Sequence, residues 1–214
     1  MHTMNHSRTL SCTPENGYHQ GMDKTLRYYD ENAAAFTADT VTTDMSSVQE
    51  AFIRQLEPGA HILDLGCGSG RDSKLFLSKG FTVTPVDGSG EMCLAANANT
   101  GLEVRQLLFK DLDYDDDFDA VWACASLLHV PSNDLPHVFA LIHRALKGRG
   151  LLYCSFKYGT FEGERNGRFF TDLTEDGIEK LLPPLFTPTR IWTTNDSRPG
   201  RSDERWLNVM ALKV

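Results

Sequence analysis

Two acids and three glycines carry the clearest chemistry in this sequence. Asp64 opens an acid-x-Gly-x-Gly-x-Gly run with Gly66, Gly68 and Gly70 at alternate positions, and Asp87 closes the next apolar stretch. The residues just before the glycines, Ile62, Leu63 and Leu65, form a short apolar run. That pattern is a buried parallel strand turning tightly into a helix. Glycines there accept positive φ and let the backbone approach a ligand that a Cβ would push away. In open α/β sheets ligands lie at the carboxyl ends of strands, and an acid about 20 residues further on accepts hydrogen bonds from ribose hydroxyls. Asp87 fits that place. Arg71 stands where the third glycine of a dinucleotide fingerprint belongs, and no Gly-Lys-Ser/Thr follows to make a P-loop. A nucleoside-like ligand of another kind is what the spacing leaves.

Other reactive types are sparser. His129 follows an apolar strand and is a candidate general base, because histidine titrates near neutral pH; its other role is to hold a loop. Lys157, Arg165, Arg168, Arg198, Arg201 and Arg205 lie on two polar segments. Either some of them converge on an anion through guanidinium contacts, with Lys157 and Arg168 as the candidates beside His129, or they pair with Glu162, Glu164, Asp203 and Glu204. The histidines lack a paired-ligand spacing with acids, so no metal is expected.

These residues need a framework. The spacing Leu26, Tyr29, Ala33, Phe36 predicts an amphipathic helix. Ser46 and Gln49 read as a capping box for a second helix. Strands are predicted over 81–87, 102–109, 118–125 and 150–156. Between them stand a helix over 73–78 with Leu75 and Leu77 facing the sheet, and one capped by Ser89 that carries Met92. A third is striped by Leu135, Val138, Phe139, Ile142 and Leu146, with Pro136 in its first turn. Residues 157–170 read as a polar loop that could act as a lid. Thr174 caps a helix through Leu182 that Pro183-Pro184 stops, and 189–194 with 206–214 alternate as a closing hairpin. Residues 1–24 are polar and aperiodic, a flexible segment before a single domain over 25–214.

Leu63-Asp64-Leu65-Gly66-Cys67-Gly68-Ser69-Gly70 resembles the first motif of the class I S-adenosylmethionine (SAM)-dependent methyltransferases, and Val83 to Asp87 resembles the strand that follows. The resemblance spans roughly 26–214 and is strongest to small stand-alone members described as tellurite-resistance-related. It implies a doubly wound Rossmann-like α/β fold. The sheet would have seven strands in the order 3-2-1-4-5-7-6, mostly parallel with an antiparallel last strand and helices on both faces. It also implies SAM as cofactor, S-adenosylhomocysteine as product, and in-line methyl transfer to a small acceptor of thiol, oxyanion or carboxylate type. Such transfer rests on positioning, which supplies on the order of 7–11 kcal/mol in favourable cases. Carried over by position, the cofactor residues are Tyr29, Asp64, Gly66, Cys67, Gly68, Gly70, Asp87, Gly88, Met92, Asp111, Leu112 and Ala125. Met92 would pack on adenine and Asp111 would accept from its amino group. Two other readings stay open: a SAM-binding sensor or scaffold without catalysis, and a nucleic-acid (tRNA) methyltransferase.

Composition narrows these. With 21 basic and 29 acidic side chains the formal net charge is −8, which disfavours nucleic acid as the main partner. No apolar run approaches the ~18 residues of a membrane span, and 1–21 lacks a secretory pattern. Five scattered cysteines without a Cys-x-x-Cys pair suit reduced thiols in the cytoplasm. A monomer or homodimer with an anionic small-molecule partner is the expectation.

Overall fold

The protein is described by a computed structural model covering residues 15–182, 184–198 and 200–214. Helix α1 (Glu15–Thr40) begins inside the stretch expected to be flexible; residues 1–14 of that stretch, and Pro183, lie outside the described residues. The chain continues as α2 (Ser46–Ile53), β1 (His61–Leu65), α3 (Arg71–Ser78), β2 (Thr82–Asp87), α4 (Gly90–Thr100) and β3 (Arg105–Gln106). After β4 (Phe118–Ala123) come α5 (Leu135–Ala145), β5 (Leu146–Lys157), β6 (Glu162–Arg165), β7 (Arg168–Thr171) and α6 (Glu175–Leu181). Strands β8 (Phe186–Asn195) and β9 (Arg205–Lys213) close it. The 7-stranded sheet has the order β3-β2-β1-β4-β5-β9-β8, with β9 antiparallel to both β5 and β8. Counted within the sheet alone this is the expected doubly wound order; the labels shift because β6 and β7 form a separate hairpin.

Side-chain alternation along the strands builds two cores. Leu63, Val121, Leu152 and Val209 face α5 and α6, whose Phe139, Ile142 and Ile178 are buried there. Ile62, Trp122, Tyr153 and Met210 face α2 and α3, against Phe52 and Phe76. Trp122 and Tyr153 stack at 4.0 Å, and the Tyr153 hydroxyl donates to Asn208 at 2.8 Å. A strand's period of two thus supplies both faces of a covered sheet. Among the described residues, no helix is long and apolar enough to cross a membrane.

Several local expectations change. Helix α3 starts at Arg71; Phe76 takes its fully buried position, Leu77 packs half-buried against the same core, and Leu75 is half-buried. The capping box is not formed: Gln49 donates its amide to Asp72 at 2.7 Å, and the Ser46 N–H donates to the Asp44 carboxylate at 2.9 Å. A buried carboxylate outcompetes a helix end. Strand β3 has two paired residues, because after Leu107 the chain turns into a 3₁₀ turn, Phe109–Asp111. Leu146 opens β5 instead of ending α5. The polar loop over 157–170 contains the β6–β7 hairpin, whose turn residues Asn166 and Gly167 both have positive φ (52° and 78°). Two such residues define the tight turn that matches strand twist. Ser89 and Thr174 cap their helices as the sequence indicates.

Candidate active site

The glycine turn after β1 sits at the switch point where strand order reverses between β1 and β4, the place where such sheets bind ligands. Its three glycines do different jobs. A Cβ on Gly66 would lie 2.5 Å from the Ser126 Cβ, so Gly66 admits the loop after β4. A Cβ on Gly70 would lie 2.7 Å from Thr100 Cγ2, so Gly70 serves the packing of α3 on α4 and does not line the cleft. At Gly68 the nearest atom is Met92 Cε at 3.7 Å, which leaves room for close approach by a ligand. Asp87 braces this turn: its Oδ2 accepts from the Gly68 N–H and its Oδ1 from the Ser89 N–H, both at 2.9 Å. Burial pushes the Asp87 carboxyl up, opposed by those backbone bonds.

A cavity of about 270 Å³ runs along the carboxyl ends of the parallel strands. The strand order lays out its wall in sequence. Asp87, Gly88 and Met92 stand at the β2 end, Asp64 to Gly68 after β1, Ala125 to His129 after β4, Lys157 after β5 and Trp206 on β9. Tyr29 and Phe36 of α1 cover it, and Arg168 and Phe170 of β7 wall the far end. Tyr29, Asp64, Gly66, Cys67, Gly68, Asp87, Gly88, Met92 and Ala125 therefore meet around one space, together with His129, Lys157 and Arg168.

Gly70, Asp111 and Leu112 do not. Asp111 lies on the 3₁₀ turn and pairs with Lys110 at 2.8 Å, while Leu112 is buried in the core. Their place on the wall is taken by Leu107, Leu108 and Phe109, which were not among the sequence candidates. The apolar run they form was the available signal. Arg71 and Asp72 were also missed. Asp72 accepts from Arg71 Nε (2.7 Å) and Nη2 (2.9 Å), from Gln49 and from the Trp122 indole (2.8 Å). Burial raises this carboxyl, but Arg71 and the other donors more than offset that and hold it below the usual range. Its neighbour Asp64 goes the other way, lifted by burial and then by the Asp72 charge, with a single side-chain donor, Ser73, at 2.6 Å.

At the far end, His129 Nδ1 lies 2.6 Å from the Phe169 carbonyl and Nε2 lies 2.8 Å from the Tyr29 hydroxyl. A carbonyl can only accept, so Nδ1 carries the proton and Nε2 accepts from Tyr29. Burial lowers the His129 pKa to about 4, helped by the Arg168 charge and opposed by the Phe169 bond. His129 is thus a neutral brace for Tyr29, not a free base.

The unfolded chain protonates this histidine near pH ~6.5, before the folded one does. Stability should therefore be full above that pH and fall as pH drops toward 4. Urea melts at about pH 7.5 and about pH 5 should show a loss of roughly 2 kcal/mol from this residue. The drop should be smaller by that amount in His129→Gln; an equal drop in both proteins would place the titration elsewhere.

The cations sort themselves by partner. Lys157 pairs with Glu204 and sits 4.8 Å from the Trp206 ring. Arg198 binds Asp196 through Nε (2.9 Å) and Nη2 (2.5 Å), and Arg165 binds Asp172. Arg205 lies over Tyr158, and Arg201 is exposed. Helix α1 is tied across the whole cleft. Asp30 accepts from Ser89 (2.6 Å) and the Glu91 N–H at the start of α4, Thr25 accepts from the Phe169 N–H, and Lys24 pairs with Glu164.

With this geometry in place, comparison with known proteins is informative. Residues 62–150 match the family described as a methyltransferase domain. A putative methyltransferase of Bacillus subtilis (strain 168) is 36% identical over 108 residues, 45% of this chain and 43% of that protein. The ubiquinone biosynthesis O-methyltransferase of Pseudomonas syringae pv. tomato is 31% identical over 133 residues, 58% of this chain and 54% of that protein. The chain spans about half the length of these curated relatives. Among solved structures, the 1,6-didemethyltoxoflavin-N1-methyltransferase of Burkholderia thailandensis, with bound 1,6-didemethyltoxoflavin and S-adenosylhomocysteine, aligns at TM-score 0.71 and 24% identity. That alignment covers 97% of this chain and 93% of that one. The likeness is one of fold, and the doubly wound sheet is a Rossmann-like methyltransferase fold.

Proposed function

We propose that residues 25–214 act as a SAM-dependent methyltransferase on a small-molecule acceptor. One observation carries the reading: a single cavity joins a glycine turn and ribose-type acid at the switch point to a separate aromatic and cationic end. The residues present suit the cofactor. Gly68 leaves open space, Asp87 has acceptor oxygens at the right strand end, and Met92, Leu108 and Phe109 supply apolar walls for a base. When bound, SAM supplies a methyl group already activated on a sulfonium. The chain's own part is to hold, orient and exclude water. Asp87 fixes the nucleoside end, and Cys67, Ala125 and Ser126 form the floor at the β1–β4 junction. Helix α1 and the β6–β7 hairpin roof the far end. His129, neutral and engaged, does not serve as a free base near neutral pH, which favours acceptors that lose their proton readily.

The names of the related proteins agree with a small acceptor, an O-linked group in one and a ring nitrogen in the other. A cytoplasmic setting would keep the described free thiols, Cys67, Cys93, Cys124 and Cys154, reduced.

The test is thermal stability with SAM, S-adenosylhomocysteine and NAD, each at ~100 times its dissociation constant. Native-state binding at that excess adds roughly 2.7 kcal/mol, a rise of about 5–10 °C for a chain of this size. Shifts with the first two and none with NAD are expected; a shift with NAD alone would overturn the proposal. Transfer of labelled methyl to an acceptor then separates an enzyme from a silent binder.

A further inference from the structure

Among the cations on the cavity wall, Arg168 stands apart. Arg71, Lys157 and Arg198 each hold a carboxylate, and Arg201 is exposed to solvent. Arg168 is half-buried and makes no ion pair among the described residues. Its Nη1 donates weakly to the Tyr29 hydroxyl at 3.4 Å, and its Nε is buried with no hydrogen-bond partner. The guanidinium faces rings: its carbon lies 4.4 Å from the centre of Tyr28, 5.1 Å from Phe170 and 5.7 Å from Tyr29. A guanidinium carries charge at any accessible pH, and a buried charge without a counter-ion is costly. Cation–π contacts recover part of that cost. They satisfy no N–H donor, so the hydrogen-bonding need of the Nε edge remains unmet. Nε and Nη2 share one edge, the fork that matches a carboxylate in bidentate fashion, and that edge has no acceptor among the described residues.

We infer that Arg168 is the specificity residue for a small acceptor with a flat, apolar body and a carboxylate, which closes the Nε–Nη2 edge. This rests on the methyltransferase reading and names the substrate class of that site. The hairpin places Arg168 at the start of β7, directly after the tight turn, against α1 and the loop after β4. The glycine turn and Asp87 belong to β1 and β2 of the seven-stranded sheet, whereas β7 belongs to the separate hairpin. Aromatic walls at the Arg168 end, Tyr29, Phe36 and Phe170, suit a ring. A carboxylate could also come from the methionine part of SAM itself, and the experiment separates these two sources.

Wild-type protein saturated with S-adenosylhomocysteine is titrated with benzoate, its neutral isostere benzamide, and inorganic phosphate by isothermal calorimetry. Benzoate should bind at least tenfold more tightly than either of the others. Equal binding of benzoate and benzamide, or no benzoate binding, overturns the inference and leaves the cofactor reading intact. Failure of the homocysteine compound to bind at all removes the cofactor reading instead. Phosphate as good as benzoate would overturn the flat-body assignment.

Arg168→Met should weaken benzoate at least tenfold while S-adenosylhomocysteine stays within threefold of wild type. If that variant loses S-adenosylhomocysteine but keeps methylthioadenosine, which has no carboxylate, Arg168 serves the cofactor and the inference fails. Arg168→Lys keeps the charge without the fork, so benzoate should weaken there too; full retention would remove the bidentate contact. If Arg168→Met does not fold, the wild-type comparison of benzoate with benzamide still decides the matter.

Discussion

Replacing Asp87 by alanine should weaken SAM binding by about a hundredfold or more. Two hydrogen bonds to an ionised carboxylate contribute on the order of 1.5–3 kcal/mol each, and each 1.4 kcal/mol is about a factor of ten in affinity. The same carboxylate holds the Gly68 and Ser89 N–H groups, so the ligand-free protein should also melt earlier. Asp87→Asn keeps one acceptor oxygen but sets an NH2 donor against the other backbone N–H, so it should lose part of the stability and much of the affinity. Calorimetric titration of both variants is the check, and unchanged SAM affinity in Asp87→Ala would sink the ribose assignment.

A second large effect should come from Asp72, which does not touch the strand-end acid at all. Asp72→Ala strands the Arg71 guanidinium, the Gln49 amide and the Trp122 indole, three donors in or beside a buried core. Breaking a buried pair by removing one partner costs roughly 3–5 kcal/mol. For a chain of this length that is a fall of about 10–15 °C in melting temperature. Asp72 also raises its neighbour Asp64 through its charge, so the substitution should lower the Asp64 carboxyl. Carboxyl titration by NMR would follow this if the variant folds at low temperature. A melting point within about 2 °C of wild type would show that the network contributes little.

What sequence alone reveals here follows from how local each cause is. Alternating apolar residues in β1, β4 and β5 are a local pattern, so the two-faced sheet is legible. The glycine turn is legible as well, yet the separate duties of Gly66, Gly68 and Gly70 are not. What each would touch depends on Ser126, Met92 and Thr100, which lie far along the chain. Asp111 shows the limit of transfer by position, since one 3₁₀ turn redirects its side chain to Lys110. Asn166-Gly167 was a hairpin signal in plain sight, outweighed by the polar composition around it. The six rim cations look alike in sequence. Asp172, Asp196, Asp39 and Glu204 neutralise Arg165, Arg198 and Lys157; among the described residues Arg168, Arg201 and Arg205 make no ion pair, and of these three Arg168 is the half-buried one.

Among the described residues, the ties of α1 to α4, to the β6–β7 hairpin and to His129 fall between Lys24 and Asp30, a span of about 9 Å at 1.5 Å per residue; its C-terminal turn is held separately, by Asp39 on Arg198 and by the Thr40 carbonyl on Arg71. In that short length the helix holds the start of α4 beside Asp87 and the hairpin beside Arg168. A helix that fastens both compartments within two turns, and is anchored again at its C-terminal end, behaves as a door shared by both and hinged at that end. Lifting those two turns unseals the nucleoside end and the aromatic end together, so neither compartment exchanges its contents by this route while the other stays shut.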